Sequence, residues 1–94
     1  MRLDPIEKEA LDHALQNVKG EVFLFGSRVD HSKKGGDIDL LIFSKENPFV
    51  LSKKVSVDFN MKCEEKIDVV VMNPDEMSTE QNAFLRTLTL KKIK

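Results

Sequence analysis

Apolar positions change period along the chain, and each change marks an element. Leu3, Ile6, Ala10, Leu11, Ala14, Leu15 and Val18 recur three and four residues apart, which places them on one face of an α-helix. The predicted helix runs from Pro5 to Lys19. Asp4 can accept the free N–H groups of its first turn, Pro5 suits the first helical position, and Glu7 completes a capping-box pattern. Gly20 is a natural stop. Three later runs are almost continuously apolar: Glu21 to Phe25, ended by Gly26; Ile38 to Phe43; and Ile67 to Met72, ended by Asn73-Pro74. Runs of this kind read as strands covered on at least one face by helices.

Two segments carry mixed signals. Asn47-Pro48 is a good helix start, and Phe49, Val55, Phe59 and Cys63 fall roughly on one helical face. Yet Val55, Val57, Phe59, Met61 and Cys63 also alternate with polar residues, as in a strand. The length suits a crossover between strands, so a helix is preferred; a strand would instead form a hairpin with Ile67–Met72. After Pro74 a helix is predicted near Thr79–Leu90, with a capping-box spacing from Ser78 to Gln81 and a stripe of Phe84, Leu85 and Leu88. Thr87–Lys94 alternates weakly, and a short edge strand is the alternative there. The sum is an α/β (α+β) fold, a small mixed sheet flanked by helices.

Composition narrows the class. Ninety-four residues make one domain, 1–94, with a modest core. Hydrophobic residues at 40% and charged residues at 33% exclude a disordered chain. A net charge of −1 argues against bulk nucleic-acid binding, which needs surplus Lys and Arg to neutralise phosphates. The lone Cys63 can form neither an internal disulfide nor a thiolate metal site. No apolar run approaches the ~20 residues of a membrane span, and Met1 to Pro5 lacks a secretory signal, so the expected location is cytoplasmic.

Chemistry concentrates in two motifs. Gly26-Ser27 sits where a buried strand ends, and Gly36-Asp37-Ile38-Asp39 opens the next strand. Residues i and i+2 of a strand share a face, roughly 6.6 Å apart, so Asp37 and Asp39 point the same way. Asp68 stands near the start of the third strand. If the first two strands are antiparallel and a helix makes the second and third parallel, all these residues meet at one sheet edge. Three ionised carboxylates there repel one another, and a hard divalent cation is the natural remedy. Mg²⁺ takes oxygen ligands, usually a carboxylate or two with phosphate and water.

Gly26-Ser27-Arg28, a polar loop, and Gly36-Asp37-Ile38-Asp39-Leu40-Leu41-Ile42 together resemble the Gly-Ser…Asp-x-Asp signature of the DNA polymerase beta-type nucleotidyltransferase superfamily. Size and the later Lys66-Ile67-Asp68-Val69-Val70 resemble its minimal single-domain members, including antitoxins paired with HEPN-type ribonuclease toxins. The resemblance implies the polymerase beta-like order α-β-α-β-α-β-α. It implies that Gly26 and Ser27 hold the outer phosphates of ATP or another nucleoside triphosphate, with Arg28 as a charged donor. It implies that Asp37 and Asp39 bind two Mg²⁺, and that Asp68 completes the catalytic metal site and helps deprotonate an acceptor hydroxyl. The implied reaction moves a nucleoside monophosphate, AMP from ATP, onto a hydroxyl, with a protein partner such as a HEPN-type toxin as acceptor. The alternative is an antitoxin-like module that neutralises such a toxin by contact alone.

Plainer roles compete at several positions. Asp68 can be a strand-edge acid paired with Lys66, and Arg28 a surface residue. His13 and His31 read as solvated, Cys63 as a buried filler, and Met61, Met72 and Met77 as packing. Lys33 and Lys34, on a loop with Gly35-Gly36, can supply positive charge to phosphate; Lys91, Lys92 and Lys94 form a basic tail.

Overall fold

Asp4 accepts the Glu7 backbone N–H at 2.8 Å, and the Glu7 carboxylate accepts the Asp4 N–H at 3.0 Å. This closed capping box starts helix α1, Pro5–Leu15, in a computed structural model that describes residues 2–30 and 36–94. Strand β1, Glu21–Phe25, runs directly into a short 3₁₀ turn at Gly26–Val29. Strand β2 (Ile38–Phe43), helix α2 (Pro48–Asn60), strand β3 (Ile67–Met72), helix α3 (Thr79–Arg86) and a two-residue strand β4 (Lys91–Lys92) follow. The expected order holds, with the 3₁₀ turn as its second helical element and β4 added at the end.

α1 is shorter than the predicted Pro5–Lys19. It ends at Leu15, and the chain turns at once so that Val18, still buried, can enter the core. The Lys94 ammonium donates to the carbonyls of Leu15 and Val18, satisfying acceptors that a continued helix would have used. Ile6, expected on the buried stripe, is exposed.

The ambiguous segment is a helix. The Asn47 side chain accepts the N–H groups of Phe49 and Val50, and Pro48 occupies the first turn. Leu51, Val55 and Phe59 recur four apart and form its buried face. Phe49 and Met61, expected to pack, are instead 84% and 72% exposed. At the C-terminal end α3 stops at Arg86, short of Leu90, and the weak alternation beyond it becomes β4 paired with β1.

The sheet order is β3-β2-β1-β4, with β1 antiparallel to β2 and to β4, and β2 parallel to β3. α2 is the crossover that this parallel pair requires. One sheet face carries Val22, Leu24, Ile38, Leu40, Ile42, Ile67 and Val71 and is covered by α1 and α2. The other carries Phe25, Leu41 and Met72, with Phe23, Phe43 and Val70, beneath Leu85 and Leu88 from the α3 region. Burying each large apolar side chain contributes about 1.5–3 kcal/mol, so the two-faced sheet is the main source of stability. Among the described residues no helix is long and apolar enough to cross a membrane.

Candidate active site

Strand register decides where the acids stand. Phe25 at the end of β1 pairs with Asp39 of β2, and Asp39 pairs in turn with Asp68 of β3. Direct partners in a ladder share a face, with strands about 4.8 Å apart, so Asp39 and Asp68 are side by side. Asp37 precedes β2 by one residue and Asp39 by two, at the same rim. All three lie at the end of the sheet where β1 finishes and β2 and β3 begin.

The two sequence motifs touch there. Gly26 has φ +77°, and a Cβ on it would collide with Oδ2 of Asp39. Gly36 has φ +89°, and a Cβ on it would collide with Oγ of Ser27. Both glycines therefore combine a left-handed backbone with a close approach that leaves no room for a side chain. The Gly-Ser turn is folded directly over the acidic rim.

The electrostatics of the rim are unbalanced. Burial, then the charges of Asp68 and Asp37, hold the Asp39 carboxyl above the usual aspartate range; Lys66 opposes them. Lys66 pairs with Asp37 at 3.5 Å, not with Asp68, and both partners are largely solvated. A half-buried carboxylate flanked by two others is a donor set for a hard cation: oxygen only, net negative, and open to solvent. Among the described residues no three His, Cys, Asp or Glu side chains already close into a metal-holding cluster. Asp37 and Asp68 are exposed, so their carboxylates can swing toward Asp39 by rotamer change without repacking the core. The residues present fit a divalent ion in type and charge, and closing them around one would take side-chain rotation at Asp37 and Asp68. Beside Gly26 lies an open cleft of about 500 Å³, lined by Gly26, Val29, Asp30, Thr87, Leu88 and Thr89.

Arg28 departs from both expectations, phosphate donor and surface residue. It is 6% exposed, and its guanidinium donates to both carboxylate oxygens of Glu7, at 2.6 and 2.8 Å. Its Nε donates to the Gly36 carbonyl at 3.0 Å and its Nη1 also to the Arg2 carbonyl at 3.0 Å. The buried Glu7 carboxylate engages the cation, and the exposed Glu65 carboxylate lies 4.0 Å from it. Glu7 was legible only as a capping residue. It also stands on the stripe of Leu3, Ala10, Leu11 and Ala14, where a charge demands a buried partner. His31, Lys33, Lys34 and Gly35 lie outside the described residues.

A search of curated proteins finds no match to the chain. A family model described as polymerase beta, nucleotidyltransferase, matches residues 9–91. That span takes in the Gly-Ser turn, the Asp-x-Asp rim and the third acid of β3, the same groups that the strand register gathers. Fold, motif contact and sequence match thus agree, and the chain belongs to the polymerase beta nucleotidyltransferase family.

Proposed function

We propose that this protein is a Mg²⁺-dependent nucleotidyltransferase that moves a nucleoside monophosphate, AMP from ATP, onto a hydroxyl of a partner protein. The observation that carries the reading is the register: Asp39 stands between Phe25 and Asp68, with the Gly26-Ser27 turn packed against it. Asp37 and Asp39 would hold the metal ions, two in number, with Asp68 completing the site. Mg²⁺, when bound, supplies positive charge against the triphosphate and the attacking and leaving oxygens. The Gly26-Ser27 turn faces the triphosphate with its backbone N–H groups and hydroxyl. Arg28 has no part in phosphate contact, since Glu7 already engages its guanidinium. The cleft beside Gly26 is of the size that small ligands occupy, about 300–1,000 Å³, and we assign it to the nucleoside.

The acceptor oxygen attacks the α-phosphorus in line. An O–P bond forms to the acceptor, the bond between the α-phosphorus and the bridging oxygen breaks, and pyrophosphate leaves. The acceptor proton passes to Asp68, whose exposure supports an acceptor arriving from solvent. Incubation with Mg²⁺ and ATP labelled at the α-phosphate, with a co-purifying partner, tests this. Label on the partner that disappears in Asp37→Ala and Asp39→Ala is the expected result. A tight complex with no label, unaffected by either substitution, would instead establish the contact-only antitoxin reading.

A further inference from the structure

The buried Glu7–Arg28 pair is not used by the chemistry above, yet its remaining hydrogen bonds end on a motif loop or on the N-terminal segment, with the exposed Glu65 carboxylate 4.0 Å from Arg28 as a further ion-pair partner. We propose that the N-terminal segment from Arg2 to Glu7 is a strap that sets the Gly26-Ser27 turn and the Gly36-Asp37 segment in fixed relation, with Glu7 and Arg28 as positioning residues. The proposal rests on the nucleotidyltransferase reading for what the two loops do, and not for how they are held.

The contacts form one closed circuit. Glu7 is fixed at the start of α1 by the capping box, and it holds Arg28, the third residue of the 3₁₀ turn, by two short bonds. Arg28 passes that constraint to Gly36, immediately before Asp37, through the bond to its carbonyl. Arg2 closes the circuit: its backbone N–H donates to the Arg28 carbonyl at 2.7 Å. Its guanidinium donates to the carbonyls of Ser27 and Asp30, at 2.9 and 2.8 Å. Three carbonyls, of Ser27, Arg28 and Asp30, are thus tied directly to one short segment, and the Gly36 carbonyl is tied to it through Arg28.

A loop-to-loop link is what this site needs. The Gly36–Ser27 and Gly26–Asp39 approaches leave no slack, so a small shift of either loop separates the turn from the carboxylates. A charged anchor suits the task, because a guanidinium offers five donors in a fixed planar fork and can serve a carboxylate and two carbonyls at once. Simple packing could stabilise the domain equally well, but it would not fix the register of two polar loops.

Amide hydrogen exchange on the ligand-free full chain tests the strap directly. Two amides report on it: Asp30, bonded to the Ser27 carbonyl, and Ile38, bonded to the Lys66 carbonyl. In Glu7→Gln and Arg28→Lys both should exchange about tenfold faster or more, beyond any change shared with the strand-centre amides of Leu24 and Leu40. Arg2→Ala removes the tie to Ser27 and Asp30 but not the buried pair, and should loosen Asp30 while leaving Ile38 unchanged. Exchange at Asp30 and Ile38 that moves only in step with Leu24 and Leu40 overturns the proposal. Should the buried-pair variants fail to fold, unchanged Asp30 exchange in Arg2→Ala overturns it alone. In a parallel measurement MgATP should bind Glu7→Gln about 10–100-fold more weakly than wild type, as with other positioning residues. If wild type itself binds no MgATP, the nucleotidyltransferase reading fails, and the exchange result still decides the strap.

Discussion

At Asp39 burial and two neighbouring carboxylates act in one direction. All disfavour its charged form, so the folded state binds a proton more readily there than the unfolded state does. The contribution of Asp39 to stability must therefore fall as pH rises through the carboxylate range and must be regained in acid. Asp39→Asn should stabilise the metal-free protein at neutral pH by about 0.2–1 kcal/mol, the scale of like charges facing across a ladder. Urea denaturation at neutral and acidic pH checks both the gain and its disappearance in acid. Glu7 obeys the opposite sign. The Arg28 guanidinium holds its carboxyl below the usual glutamate range, so its contribution is complete above that range and is lost as pH falls through the native value. Glu7→Gln should cost about 3–5 kcal/mol at neutral pH, because it removes the close buried carboxylate from the Arg28 cation and leaves it the exposed Glu65 at 4.0 Å, and progressively less in acid. The two residues differ in how far they could be read from the chain alone. Gly26, Ser27, Asp37 and Asp39 stand within one short stretch, and Asp68 repeats the acid-then-apolar pattern. The Glu7–Arg28 partnership spans 21 positions, and the capping box already gave Glu7 a sufficient local reason to exist.

Helix α2 shows how an element can be legible while its orientation is not. Its sequence holds two apolar sets, one at Leu51, Val55 and Phe59 and another at Val50, Val57 and Met61. Only the first faces the sheet. The strand-like alternation arose from mixing members of both sets, and the capping by Asn47 outweighs it. Phe59→Ala should therefore destabilise by about 3–5 kcal/mol, as expected for removing a fully buried ring. Phe49→Ala, at a position 84% exposed, should change stability by less than about 0.5 kcal/mol. Thermal denaturation of the two variants compares them directly. Similar losses would mean that the helix is rotated from the orientation described. Beyond α1, no local signal carries what the structure shows: the carbonyl of its last residue, Leu15, and that of Val18 after it accept from Lys94, at the opposite end of the chain.

For the molecule as a whole, the gathering of the candidate site follows from one topological fact. An antiparallel β1–β2 pair and a parallel β2–β3 pair bring the end of the first strand and the beginnings of the other two to a single edge. That convergence was legible because strand identity and a helical crossover suffice to deduce it, whereas the inward path of Arg28 depends on packing that no motif encodes. Burial and the neighbouring acids disfavour the charged form of Asp39, and under the proposed reading a divalent ion held with Asp37 and Asp68 would offset that charge. The most direct test is the thermal unfolding of wild type and Asp39→Asn across a Mg²⁺ titration. The wild type should start lower and rise with the logarithm of Mg²⁺ concentration once above the dissociation constant, by about 2.7 kcal/mol of stability at a hundredfold excess. Asp39→Asn should start higher and barely respond. Equal responses in the two proteins, or none in the wild type, would contradict a metal-binding rim.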